Sequence, residues 1–176
     1  RLHGALQTAM TDGAKLGYGG RADLLRPVIE STFDFDTVTR IVAGRYWKDA
    51  SADQRARFGD VFRQLSVASY ATNFHASEGE VFTTLGSEPA QDSVTVHTQL
   101  AKAGATPVTF DYVLRQSNDE WKIVNVIAEG VSDLALKRAD YAAVIKAEGF
   151  DALIDRRMSE PLPLAPMVSE AGLTLT

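Results

Sequence analysis

The spacing of apolar residues changes twice along this chain, near residue 80 and again at Gly130. Up to about Phe74 hydrophobic side chains recur at three- and four-residue steps, the spacing of helices packed on one face. Leu2, Leu6, Ala9, Gly13 and Leu16 form a first stripe, which the Gly17–Gly20 cluster is expected to break; Leu24, Leu25, Val28 and Ile29 resume it, interrupted by Pro27. A third helix is expected over Thr37–Trp47. A fourth starts with Ser51 and Gln54 at capping-box spacing, carries Phe58, Val61, Phe62, Leu65 and Ser69 on one face, and runs to about Phe74.

From Glu80 the period falls to two. Val81, Thr83 and Leu85 alternate with Phe82 and Thr84; Val94, Val96, Thr98 and Leu100 with Thr95, His97 and Gln99; Phe110, Tyr112 and Leu114 with Thr109, Asp111 and Arg115. In a last strand from Trp121 to Ala128, Val124, Val126 and Ala128 share one face and Trp121, Ile123 and Ile127 the other, so both need at least partial cover. Ser117, Asn118 and Asp119 predict a hairpin with Val108–Arg115. After Gly130, Val131, Leu134, Arg138, Tyr141 and Ile145 return to helical spacing. They predict a helix Val131–Glu148 capped by Ser132, a hinge at Gly149 and a last helix from Asp151 to about Met158.

Helices, then four strands with short turns, then helices again define an α+β fold. Its expected form is a curved antiparallel four-stranded sheet of the NTF2 or cystatin kind wrapped over long helices. One domain is expected over residues 1–158, with helical subregions 1–76 and 131–158 and a sheet subregion 80–129. The tail 159–176 holds Pro161, Pro163 and Pro166 and is expected to be extended.

Composition narrows the function classes. A net charge of −5 argues against a nucleic-acid backbone as partner. No apolar run reaches the length of a membrane span, so a soluble mature chain is expected. Without cysteine there are no disulfides, thiol nucleophiles or thiolate metal sites. The chain starts at Arg1 rather than Met, as a processed secretory protein or a trimmed chain would.

No motif carries a reaction. His3, His75 and His97 have no metal-ligand spacing, and Asp12, Asp133, Asp140 and Asp151 have no matched partner in sequence. Ser132 lies between a strand and a helix but lacks the second glycine of a nucleophile elbow. Gly17-Tyr18-Gly19-Gly20 has no strand before it and no Lys-Ser or Lys-Thr after it, so it is not read as a phosphate loop. No catalytic residue, metal ligand or cofactor is assigned. An NTF2-like enzyme would need an inward polar pair, for which Asp111 and His97 are the nominees.

The segment Glu120-Trp121-Lys122-Ile123-Val124-Asn125-Val126-Ile127-Ala128-Glu129-Gly130-Val131-Ser132, followed by Arg138-Ala139-Asp140-Tyr141, resembles the MlaC or toluene-tolerance family of periplasmic lipid carriers. Phe33-Asp34-Phe35, the run Asp53–Phe58 and Glu148–Ile154 add to the resemblance in the same order, over roughly residues 1–158. Gly17–Arg21 and Gly44–Trp47 look more like the hopanoid-associated (HpnM-like) branch. The family has hydroxyl side chains on both sides of the arginine, where this chain has Lys137 and Ala139, which puts any contact through those hydroxyls in doubt.

The resemblance implies a non-enzymatic shuttle, located in the periplasm after signal-peptide removal. It would carry a phospholipid or hopanoid between inner and outer membrane, touch the membrane transiently and exchange cargo with membrane-anchored transporter components. It also implies a dry pocket between helices and sheet. The residues expected to line it are Phe33, Val38, Tyr46, Phe58, Phe62, Leu65, Tyr70, Phe110, Val124, Val126, Val131, Leu134 and Tyr141. Taken alone, the same aromatic stripes read as an ordinary filled core, and it is the resemblance that turns the reading to a lined pocket. Arg138 is expected either at the pocket mouth or in an ion pair with Glu129 or Asp140. A charge placed at Phe62 or Val126 is expected to abolish lipid retention without unfolding the chain. The rival readings are a lipid-free bridging module and the NTF2-like enzyme.

Overall fold

The computed structural model describes residues 1–159; the proline-rich segment and its expected extended course lie outside them. The amino-terminal half is helical: α1 Leu2–Thr11, α2 Gly13–Thr32, α3 Phe35–Ala43 and α4 Ala52–Asn73. The helical path breaks at Asp12 and again, as the glycine cluster predicts, at Gly17. Gly17 adopts the non-helical φ 62 and ψ −178, so α2 is two helical pieces joined at a kink, and Pro27 is carried inside the second piece. Arg21 ties this region together, donating from Nε to the Ala71 carbonyl (2.8 Å) and from Nη1 to the Gly13 carbonyl (2.9 Å).

The helix expected over Thr37–Trp47 is two pieces. Asp34 caps α3 by accepting from the Thr37 amide (2.9 Å), and at Gly44, with φ 57, the chain leaves the α conformation for a 3-10 turn, Gly44–Trp47. The start of α4 is as its spacing predicts: Ser51 accepts from the Gln54 amide (3.1 Å) and Gln54 accepts from the Ser51 amide (2.9 Å).

The sheet contains β1 Val81–Pro89, β2 Val94–Ala101, β3 Val108–Ser117, β4 Glu120–Ala128 and β5 Val131–Ser132. Every neighbour is antiparallel and the spatial order is the sequence order, so the sheet is an open meander. Among the described residues there are five strands rather than four, and the NTF2 and cystatin labels do not define this arrangement. The extra strand comes from Glu129 and Gly130, whose positive φ values of 50 and 77 fold Val131 back onto Ala128 and Ser132 onto Ile127. Helix α5 Asp133–Glu148 therefore begins two residues later than the apolar spacing indicates, and α6 Phe150–Ser159 follows Gly149. The β3–β4 hairpin forms as expected, over Asn118 and Asp119 at φ 50 and 64.

A bulge shapes the cavity wall. Leu114 pairs with Ile123 and Val113 with Asn125, which leaves Val124 as the extra residue, and both Ile123 and Val124 are buried. Phe33 bridges to Ile123 in parallel register and the Asp34 amide donates to the Ile123 carbonyl (3.0 Å), so the end of α2 is pinned beside the bulge.

The inner face of the sheet carries Phe110 and Tyr112 opposite Ala128 and Val126. Toward β1 this face is filled. Phe110 packs against Phe74, Phe82 and Tyr112, and the His3 ring stacks on Phe82 at 4.3 Å. Toward β4 the helices leave a hollow.

Candidate functional site

That hollow lies between α3, α4, α5 and β4 and measures ≈ 460 Å³ counted out to its open mouth. Phe33, Phe35, Val38, Phe62, Val124, Val126 and Leu134 supply its apolar wall; Ser66, Ser69, Tyr70, Asn125, Asp133 and Lys137 add polar groups. Each helix presents these residues at helical spacing. Phe62, Ser66, Ser69 and Tyr70 follow one side of α4, and Asp133, Leu134 and Lys137 occupy one side of the first turns of α5.

Asn125 fixes α5 against the sheet. Its Oδ1 accepts from the Ser132 hydroxyl (3.1 Å) and the Leu134 amide (3.3 Å), while Ser132 Oγ accepts from the Ala135 amide (3.1 Å) as the helix cap. Lys137 and Asp133 form an ion pair within the lining. A ligand there meets hydrogen-bonding capacity but little net charge. Ser66 spends its hydroxyl proton on the Phe62 carbonyl (2.8 Å). Burial, and then electrostatic coupling to the Tyr112 phenol and the Asp133 carboxylate, push the Tyr70 phenol well above its ordinary range, so it stays protonated.

Among the pocket positions expected from sequence, Phe33, Val38, Phe62, Tyr70, Val124, Val126 and Leu134 come together around the cavity. The others do not. Phe58 and Phe110 are both 1% exposed and belong to the filled core, and the Tyr141 ring packs edge-on against Phe58 and Phe62 (5.9 and 6.3 Å) rather than on the lining. Tyr46 sits on the 3-10 turn, half-buried against the core and outside the lining, where Arg45 donates to its hydroxyl (2.8 Å). Leu65 packs half-buried against the core, outside the lining. Val131 is 51% exposed because it belongs to β5 and not to the buried stripe of α5.

Of the two places expected for Arg138, the ion pair does not form among the described residues. Arg157 takes Asp140, and the Glu129 carboxylate accepts from Thr109, so neither acid pairs with it. Arg138 is exposed beside the 3-10 turn, where a Cβ at Gly44 would lie 3.4 Å from its Nε. Phe35, Ser66, Ser69, Asn125, Asp133 and Lys137 were not among the expected pocket residues. Ser66 and Ser69 had a readable signal, since they extend the Phe62 stripe with small polar residues.

His97 and Asp111 do meet, with Nδ1 and Oδ1 2.8 Å apart, and this contact is the main cause raising the histidine's pKa. They face each other across β2 and β3 at positions alternate to Phe110 and Tyr112, hence on the outer face of the sheet, away from the cavity. Replacing His97 with Gln and Asp111 with Asn together is expected to leave lipid retention within twofold of wild type, as a surface substitution does. Loss of retention in a folded double variant would place function on that outer face.

A helical layer over an open meander, with one half of the interface filled and the other hollow, defines the chain as an α+β protein built around an apolar cavity with a few polar groups. Residues 3–157 match the family model described as MlaC protein, and the chain belongs to the MlaC family. It is 27% identical over 123 residues to the intermembrane phospholipid transport system binding protein MlaC of Haemophilus influenzae; the match covers 65% of this chain and 56% of that protein. Thus it spans little more than half the length of that relative. A solved structure of the phospholipid-binding protein from Ralstonia solanacearum, in complex with a phospholipid, superposes with a TM-score of 0.71 at 24% identity, over 89% of this chain and 94% of the other. That likeness establishes a shared fold. Among the described residues no helix is long and apolar enough to cross a membrane.

Proposed function

We propose that the protein is a non-enzymatic phospholipid carrier of the periplasm, which takes acyl chains into the α3/α4/α5–β4 cavity and exchanges its cargo with membrane-anchored transporter components. The observation that carries this reading is the composition of the cavity: an aromatic and aliphatic wall with a small polar set, the match to an amphiphile rather than to a pure hydrocarbon. The Haemophilus relative's membership of an intermembrane phospholipid transport system supports it. The segments that suggested a hopanoid do not reach the cavity. Arg21 secures the helix junction, and Gly44–Trp47 forms the turn beside Arg138.

Each methylene exposed to water costs about 0.8 kcal/mol, so a two-chain lipid crossing an aqueous gap bare meets a barrier on the order of 20 kcal/mol or more. A cavity removes most of that barrier. Transfer from a bilayer into an apolar cavity is nearly neutral, so direction comes from differential binding at the partner membranes and not from this chain. The ≈ 460 Å³ runs out into open solvent, and the enclosed part is only ≈ 40 Å³, room for a few waters and well short of sites that hold drug-sized ligands. A two-chain lipid therefore requires the helices to part from β4 on loading.

Lipid mass spectrometry on protein purified without detergent, from a host that makes both lipid classes, tests the proposal. A stoichiometric phospholipid is the expected result. A stoichiometric hopanoid would replace the cargo, and a protein that carries nothing and takes up no added lipid would replace the carrier with a bridging module.

A further inference from the structure

One polar group in the cavity wall is left without a protein partner. Tyr70 is 4% exposed, its ring is stacked against Phe74 at 5.7 Å and tilted against Phe33 at 5.9 Å, and its hydroxyl is buried with no hydrogen-bond partner among the described residues. Buried hydroxyls are satisfied in the large majority of cases, and leaving one unpaired is costly. The neighbouring polar groups are engaged with one another instead. Lys137 pairs with Asp133, Asn125 Oδ1 accepts two donors from the start of α5, and the Ser66 proton goes to the Phe62 carbonyl.

We infer that the Tyr70 hydroxyl is a specificity determinant that donates a hydrogen bond to an acyl-ester carbonyl of the bound lipid. This deepens the carrier reading and rests on it. Three properties of the site select that acceptor. The phenol holds its proton, being pushed well above its ordinary range by burial first and then by coupling to Tyr112 and Asp133, so it is the donor toward an incoming acceptor. The surrounding wall is apolar, which suits a group attached directly to an acyl chain. Asp133 acts electrostatically on the same hydroxyl and is itself balanced by Lys137, which disfavours a second full negative charge such as a fatty-acid carboxylate and favours a neutral carbonyl. An ester oxygen lies between chain and headgroup. It is the one strong neutral acceptor a glycerolipid brings to the boundary between apolar wall and polar set.

The test compares dihexanoyl phosphocholine with its dihexyl ether analogue, and both with hexanoate. Each is titrated below its micelle concentration into delipidated wild-type protein and into Tyr70→Phe. The ether keeps chains and headgroup and lacks only the carbonyl acceptors. Wild type is expected to bind the ester about tenfold more tightly than the ether, the worth of one buried hydrogen bond, and Tyr70→Phe to bind the two alike. The lipid-free variant is expected to melt at or above the wild-type temperature, because it sheds an unpaired hydroxyl. Equal wild-type affinity for ester and ether overturns the assignment and leaves the carrier intact. A stronger preference for hexanoate overturns the neutral acceptor. A Tyr70→Phe protein that melts lower and loses ester and ether equally shows that the hydroxyl serves the fold. Binding of none of these ligands overturns the carrier reading together with this one.

Discussion

Replacing Val126 with aspartate is expected to strip the protein of co-purifying phospholipid and to weaken uptake of added lipid, by up to about 1,000-fold. Val126 is buried on the inner face of β4 and lines the cavity. A carboxyl group sealed there by acyl chains has its pKa raised by about 3 units or more. Keeping it protonated at neutral pH then costs up to about 4 kcal/mol; the share already incurred at this buried position without lipid lowers stability, and the rest falls on the loaded state. Phe62 offers a less clean test than its sequence position suggests. Its ring meets Phe35, Phe58 and Tyr141, so a charge there attacks the aromatic core that joins α4 to α3 and α5. Leu134→Asp, at a half-buried cavity position, is the better companion, and it is expected to lose lipid with little loss of stability. Lipid quantitation and melting curves on both variants check the claim. Wild-type lipid content in folded Val126→Asp and Leu134→Asp would show that the cargo sits elsewhere.

The elements with strong local signals were legible in the sequence. The alternation in β2 and β3, the Asn118-Asp119 turn and the reciprocal Ser51–Gln54 cap are each written in adjacent residues and each form as read. Features that depend on a long-range partner were not. The two-residue β5 looks like the first turn of a helix because Val131 is in phase with Leu134, and only the backward turn at Glu129-Gly130 separates the two outcomes. The cavity shows the same limit. Phe58 and Phe62 share a stripe at four-residue spacing, yet Phe62 lines the cavity while Phe58 is covered by Phe150 of α6. Nothing within α4 records that α6 covers one end of its apolar face and leaves the other facing a hollow. Asp133 and Lys137, four residues apart on α5, pair within the cavity wall because Asn125 holds their helix against β4.

That difference between Phe58 and Phe62 sets the second large effect. Phe58→Ala is expected to cost about 3–5 kcal/mol, the range for removing a fully buried aromatic ring. For a chain of this size the melting temperature should fall by on the order of 10 °C. The Phe58 ring meets Phe62 at 6.1 Å, Tyr141 at 5.9 Å and Phe150 at 5.3 Å, so it couples α4 to α5 and α6 at once. Phe58→Leu keeps most of the volume and is expected to cost about 1–2 kcal/mol. If Phe58 acts through the fold alone, both variants bind lipid with wild-type affinity at temperatures well below their melting points, and retention fails only as they unfold. If it touches cargo, as its place on the stripe first suggests, Phe58→Ala loses affinity while still folded, and the cavity then extends beneath α6 in the loaded state. Measuring lipid affinity and melting temperature on the same samples separates the two, because only the first outcome keeps affinity constant across a stability series.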